Sequence, residues 1–436
     1  MVFFNEPRKG NKKMKVLSIN TVDARGGAAR AAYALHKELK KEGYSSKMLV
    51  GERFSNDPDV FEITGRHGFS GRTGAPLRRF SGRVEELTGL QYFFSTGAGA
   101  ILRHSAFKEA DVVHLHNTHG GYLNLRAIKE IAGHRPVVWT LHDMWPITGH
   151  CAHSFDCEKW RHGCGQCPYL STYPAISIDT TRMLFKAKRD IYEKSDFLIT
   201  APSRWLIEKF PLSMLSSKAA RLVPNAIDAA VFRPKDPLGA RKRLGLPADR
   251  FIAMFAASGG IKNPWKGFSY IVDAFGILKK RFNIMPYVVI IGEKSLNTSS
   301  LGIEAMSVGE VGNDELLSDY YAAADAYLLP SIAENSPLTA LESLATGAPV
   351  ICFNAGGAPE LVLHKKTGYI AAYKDANDLA DGIRWAFSLN SGEKKETAKK
   401  CVEFVKARHT IEAQAKAFLG LYETCLRQRR NGNAAF

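Results

Sequence analysis

Nowhere in the 436 residues does an apolar run approach the ~18–20 residues that a membrane-spanning helix requires. The opening residues, Met-Val-Phe-Phe-Asn-Glu-Pro-Arg-Lys-Gly, lack the charged stretch, apolar segment and small-residue cleavage site of a secretory signal. A cytoplasmic setting is the expectation. Cysteine is scarce, seven in all, too few for a disulfide scaffold at this length. No repeat at a fixed period is visible. Acid is in deficit: 43 Asp and Glu stand against 59 Lys and Arg, a formal net charge of +16. That surplus attracts polyanions, whether nucleic acid, anionic headgroups or phosphorylated small molecules.

What is present is globular. Hydrophobic residues make up 45% and charged residues 23%, which excludes wholesale disorder and fibrous repeats. The length suits two or three cores. Residues 1–13 read as a loose tail. From there short apolar strands alternate with helices, at 15–19, 46–50, 111–115, 136–141 and 197–201. A Gly-rich turn at Arg25-Gly26-Gly27 opens the first helix, with Ala29, Ala32, Tyr33, Leu35 and Leu39 available for burial. Pro234, Pro237 and Pro247 interrupt the pattern, which then restarts with strands at 251–257, 287–291, 307–308, 326–329 and 349–353. Strand–helix alternation at this spacing means parallel βαβ units, with functional loops at the carboxyl ends of the strands. The expected organisation is an α/β first domain over 14–230 and an α/β second domain over 231–409. A helix at about 410–430 would pack back on the first domain. The two sheets would face across a cleft, a favoured place for ligands. Residues 65–84, with Arg66, Arg72, Arg78, Arg79 and Arg83 unopposed by acid, read either as a solvated loop or as a basic flap for an anionic acceptor or membrane surface.

The most informative stretch is 330–361, PSIAENSPLTALESLATGAPVICFNAGGAPEL. Ser336 suits an N-cap, Pro337 the first helical position and Gly347 the left-handed stop, so the spacing predicts a helix over 337–346. Its amino end, around Ser336, Leu338 and Thr339, offers free N–H groups and partial positive charge, a seat for a diphosphate. Glu334 precedes the helix and Glu342 lies on its second turn, where a carboxylate suits a ribose diol. A second turn, Ala355-Gly356-Gly357, lets backbone approach a ligand closely.

These residues resemble the family-4 retaining glycosyltransferases, whose GT-B fold sets two Rossmann-like domains face to face. The resemblance runs from Met14 to about Leu426. It rests on Glu334-x7-Glu342, the Gly26-Gly27 turn, Val223-Pro224-Asn225-Ala226-Ile227-Asp228 and Trp265-Lys266-Gly267-Phe268. Within the family the chain is similar to bacterial exopolysaccharide and lipopolysaccharide enzymes, which carry the same His142-Asp143-Met144-Trp145 run followed by spaced cysteines. The resemblance implies a nucleotide-diphosphate sugar donor, a saccharide or polyprenyl-linked saccharide acceptor, and retention at the anomeric carbon. It implies that Glu334 and His142 face the donor sugar and that Glu342 holds the ribose. Lys266 would neutralise the diphosphate, with Gly26 and Gly27 opposite the phosphates. No catalytic metal is expected, because the helix amides and Lys266 carry the leaving group's charge. Many members place an Arg six residues before that Lys; here the position is Gly260, and Lys262 is a nearby substitute.

Cys151-x5-Cys157-x6-Cys164-x2-Cys167 ends in the spacing of a metal knuckle, with His150, His153 and His162 as alternates. Structural zinc is one reading and four buried thiols packing a loop is the other. His114, His116 and His119 form a further cluster after the third strand. Two rival functions stay open: a non-hydrolysing nucleotide-sugar epimerase on the same architecture, and a basic zinc-binding nucleic-acid protein. The second lacks aromatic-basic interleaving or any recognisable reading motif, so no nucleic-acid partner is expected. The basic surplus also fits peripheral attachment to the inner face of the plasma membrane. The sequence leaves the oligomeric state undetermined.

Overall fold

A computed structural model describes residues 13–63, 83–85, 87–95, 97–256, 259–294 and 302–431. Residues 1–12 of the expected tail (1–13) and 65–82 of the basic segment (65–84) lie outside the described residues. Seven strands form the first sheet: β1 Lys15–Val22, β2 Ser45–Glu52, β3 Val60–Glu62, β4 Val112–Leu115, β5 Val137–Thr140, β6 Leu198–Ala201 and β7 Ala220–Leu222. Six form the second: β8 Ile252–Ala256, β9 Tyr287–Ile291, β10 Glu304–Val308, β11 Ala326–Leu329, β12 Val350–Phe353 and β13 Gly368–Ala371. The orders are β3-β2-β1-β4-β5-β6-β7 and β10-β9-β8-β11-β12-β13. Every recorded strand pair is parallel.

Both sheets therefore reverse direction beside their first strand, between β1 and β4 and between β8 and β11. In doubly wound sheets ligands bind at this switch point, outside the carboxyl ends of the strands. The central strands β4, β5, β6, β11 and β12 are buried at every residue, because helices cover both faces. Such strands read as apolar runs such as Val-Ile-Cys-Phe rather than as alternation. The edges escaped that pattern. β3, β7 and β13 were not expected, and β10 extends three residues before the expected 307–308. An edge strand of three or four half-exposed residues carries too little apolar signal to stand out.

The helix Gly27–Lys41 buries Ala29, Ala32, Leu35 and Leu39 as its spacing requires, while Tyr33 stays half-buried. The chain leaves the first sheet after β7, and the helix Pro237–Leu244 already packs in the second core through Ala240. It returns at His409, where Ile227 N–H donates to His409 O at 3.1 Å and the His409 ring meets Asn225 O at 2.8 Å. The helix Ile411–Arg430 then packs on the first sheet, burying Ala415, Phe418, Tyr422 and Cys425 against Val16, Val112, Val138 and Leu198. Its Tyr422 hydroxyl reaches His114 Nδ1 at 2.7 Å.

Candidate active site

β11 ends at Leu329, and the loop that follows leads to the helix Leu338–Thr346. Gly347 stops that helix at φ +95°. Its start differs from expectation by one residue: Pro337 is the N-cap, with ψ 120°, and no side chain caps the helix. Ser336 does not cap, and its buried hydroxyl has no partner. The cause lies in the segment between the two domains, where Asn225 Nδ2 donates to Ser336 O at 2.9 Å and holds that peptide outside the helix. The first-turn amides are thereby left without a side-chain acceptor, which suits an anion. Leu338 is buried in the second core, and the Thr339 hydroxyl bonds the Tyr327 phenol.

Two glycine turns fix the loop that carries Glu334. A Cβ at Gly267, φ +68°, would stand 2.0 Å from Pro330 O; one at Gly356, φ +57°, would stand 1.7 Å from Glu334 O. A Cβ at Gly357 would stand 1.9 Å from Asn335 O. The Gly356-Gly357 turn thus packs closely against the Glu334 loop, a backbone contact that any Cβ there would break. Its Gly357 N–H donates to Glu334 O at 3.1 Å. Docking of the Trp265–Gly267 turn on the same loop puts Lys266 Nζ 2.7 Å from Glu334 Oε2. Glu334 is also within electrostatic reach of His153 from the first domain.

Glu342 is 1% exposed and faces the first domain. Its Oε1 lies 2.7 Å from Arg30 Nη1, and its Oε2 accepts from the Tyr321 hydroxyl at 3.0 Å. Arg30 also reaches Asp314 Oδ1 at 2.9 Å. Burial pushes the Glu342 carboxyl above its ordinary range, and Arg30 opposes that rise. Arg30 itself is held more firmly protonated by Glu342. Sequence reading assigned Arg30 nothing. Its position, three residues beyond Gly27 on the helix that opens at the switch point, was the available signal.

On the opposing face, His142 follows β5 and meets the second domain through its backbone, whose carbonyl accepts from Asn335 Nδ2 at 2.8 Å. Asn335 Oδ1 meets the Ser203 hydroxyl. Glu360 spans the same boundary, accepting from the Arg204 and Trp205 amides at 2.8 and 2.7 Å. The His142 ring is paired inward, Nε2 to His116 Nδ1 at 3.0 Å. Burial lowers its pKa to about 4, so the imidazole is neutral at pH 7 and is a hydrogen-bonding group. His119 is committed to Asp143 Oδ2 at 2.8 Å. Gly26, φ +82°, and Gly27 are exposed, and a Cβ at either would meet nothing within 4 Å. Position 260 could not carry the Arg that the family reading expects without strain: Gly260 has φ +65°, and its Cβ would lie 2.7 Å from Glu293 Oε2.

Cys151, Cys157, Cys164 and Cys167 are free thiols lining one cavity with His150, Trp160 and Tyr169. His150 Nε2 stands 3.4 Å from Cys167 Sγ. As the side chains stand, no three His, Cys, Asp or Glu among the described residues are placed to hold a metal ion. Asp57 and Asp59, an Asp-x-Asp pair, lie in the first domain and hold Lys40 at 3.1 and 2.5 Å, with His36 3.3 Å from Asp57.

The two halves of this arrangement match separate families of sequence. Residues 25–231 match the model described as Glycosyltransferase Family 4, and residues 240–408 match Glycosyl transferases group 1. The chain is a glycosyltransferase, and its first domain is of the family-4 kind. This glycosyltransferase is 28% identical, over 81% of its length and 86% of the relative's, to the Escherichia coli K12 protein that carries the name colanic acid biosynthesis glycosyl transferase WcaC. Its fold is that of sucrose-phosphate synthase from Thermosynechococcus elongatus, at TM-score 0.66 and 19% identity, covering 94% of this chain and 98% of that one. It is also that of Anabaena HepE, solved with UDP-glucose, at TM-score 0.61 and 16% identity, covering 94% and 100%. No helix among the described residues of the glycosyltransferase is long and apolar enough to cross a membrane.

Proposed function

We propose that this glycosyltransferase moves a sugar from a nucleotide-diphosphate donor to a hydroxyl of a saccharide or polyprenyl-linked saccharide in surface polysaccharide synthesis, with retention. The observation that carries this reading is the grouping of Glu334, Lys266, Glu342 and an uncapped helix start at the second sheet's switch point, against the first domain. The donor's glycosidic bond to phosphate breaks as its anomeric carbon becomes oxocarbenium-like, and negative charge grows on the departing diphosphate. Lys266 and the first-turn amides of Leu338–Thr346 stabilise that charge. The acceptor oxygen attacks from the face the diphosphate leaves, and its proton passes to the departing phosphate. Glu334 positions the donor sugar and balances positive charge at the ring. His142, neutral and bonded to His116, supports this face as a hydrogen-bonding group rather than as a proton carrier. The colanic-acid relative supports the polysaccharide context.

Glu334→Ala is expected to abolish transfer while donor binding, followed by thermal shift across a panel of nucleotide sugars, largely persists. Unchanged turnover would refute the assignment. The basic surplus supports reversible attachment to an anionic inner leaflet. Failure to sediment with anionic vesicles at low salt would end that part of the reading.

Zinc at the cysteine cavity is supported by four free thiols and His150 on one surface, with His150 Nδ1 held by Pro174 O at 3.0 Å and Nε2 turned to Cys167. Lys188 adds to it: buried, with Nζ bonded to the carbonyls of Trp145 and Thr148, it would balance a negative metal–thiolate group. Ligation requires the sulfurs to turn toward one point. Equimolar zinc in protein purified without added metal is expected, and its absence removes this reading.

A further inference from the structure

Each acid of the Glu334-x7-Glu342 pair holds one cation. Lys266 Nζ lies 2.7 Å from Glu334, within the second domain, and Arg30 Nη1 lies 2.7 Å from Glu342, across the domain boundary. The second contact matters for the donor. A ribose diol bonds a carboxylate through both oxygens, yet Glu342 gives one oxygen to Arg30 and the other to Tyr321. With Glu342 1% exposed, no free edge remains. A ribose diol that bonds both oxygens must take Oε1 from the guanidinium.

Where the displaced group goes is limited by geometry. Asp314, 2.9 Å from Nη2, keeps Arg30 at the boundary. Glu342 sits on the second turn of Leu338–Thr346, about one helical pitch, roughly 5 Å, from the uncapped start of that helix. Arg30 itself lies one turn into Gly27–Lys41, whose start at Gly26 also has no side-chain cap. The Arg30–Glu342 pair thus lies about one helical turn along from each of two uncapped helix starts. A nucleoside diphosphate brings more negative charge than Lys266 alone can balance. Position 260, a glycine at φ +65°, supplies no second cation.

We propose that Arg30 is a diphosphate-binding residue that exchanges Glu342 for the donor's phosphates as the ribose takes its place. The proposal rests on the reading of Glu342 as the ribose seat. It makes tight binding conditional on the diphosphate. A bare nucleoside must break the Arg30–Glu342 pair and offers nothing in return, whereas a nucleoside diphosphate re-pairs the guanidinium with a bidentate, charge-assisted partner.

The test is calorimetric titration of the full chain with UDP, GDP and ADP and with the corresponding bare nucleosides. The native protein is expected to bind one diphosphate at least 100-fold more tightly than its nucleoside. Arg30→Gln is expected to weaken that diphosphate by about 10- to 100-fold and to leave the nucleoside equal or tighter, collapsing the ratio. Arg30→Lys, which keeps a charge at the pair and guards against misfolding, should fall between the two. If Arg30→Gln binds the diphosphate as well as the native protein does, the proposal is overturned while the ribose reading stands. If it binds both ligands equally more tightly, Arg30 merely blocks Glu342 and the proposal also falls. If the folded native protein binds none of the panel, the ribose reading itself fails.

Discussion

Replacing Gly356 by alanine would test whether the loop carrying Glu334 is held by backbone contact or merely lies nearby. The added Cβ would stand 1.7 Å from Glu334 O, and side-chain Cβ atoms essentially never approach closer than 3.0 Å. The Glu334 carbonyl must therefore retreat by about 1 Å or more, and both groups are backbone, so no flexible side-chain tip can absorb the overlap. The left-handed φ of +57° adds about 1–2 kcal/mol for any residue with a Cβ. A displacement of that size at a positioning group costs about 100-fold in rate, or about 2.7 kcal/mol of transition-state stabilisation. Initial-rate measurement of nucleotide release with donor and acceptor present should show that loss chiefly in kcat, with a lowered melting temperature. Gly276→Ala is the matched control: it lies inside Phe268–Phe282 with nothing within 4 Å of its Cβ, so it should stabilise by about 0.5–1 kcal/mol and leave the rate alone. A folded Gly356→Ala protein turning over within twofold of the native one would refute the reasoning.

Glu342→Ala should raise the donor KM far more than it lowers kcat, since the lost contacts are to the ribose rather than to the reacting carbon; an unchanged donor KM would remove Glu342 from the donor site. Stability should fall as the solution is acidified from about pH 6.5. Burial lowers His114 to about 3 and His142 and His153 to about 4. These imidazoles stay neutral when folded, while the unfolded chain takes up protons first below its ordinary histidine value. Their stability contribution is therefore full above pH 6.5 and lost as pH drops toward the folded values. A melting temperature that is flat between pH 7 and 4.5 would contradict the buried histidine cluster.

The doubly wound architecture was legible because its central strands are short apolar runs separated by helix-length segments, as in the stretch from Ala326 to Phe353. β3, β7 and β13 were not, because their pairing comes from a neighbouring strand and not from their own composition. Around the candidate site, Glu334 and Glu342 stood out through neighbours with strong local rules, Ser-Pro before the helix and Gly347 after it, and Lys266 through the family resemblance. The packing of Gly356-Gly357 on the Glu334 loop was not legible, because a Gly-rich turn looks alike in sequence whatever backbone it approaches. Ser336 was misassigned because Asn225, more than a hundred residues earlier, holds its peptide. Arg30 and Asn335 went unnoticed for the same reason, since each acts across the domain boundary.

Transfer as proposed requires a diphosphate caught at the opening of Leu338–Thr346 beside Lys266. Calorimetric comparison of the native protein with Lys266→Met, which keeps most of the stem and removes the ammonium, tests it most directly. Affinity for the cognate nucleoside diphosphate should drop by at least tenfold while affinity for the nucleoside is retained. Equal affinity of the two proteins for the diphosphate would contradict it.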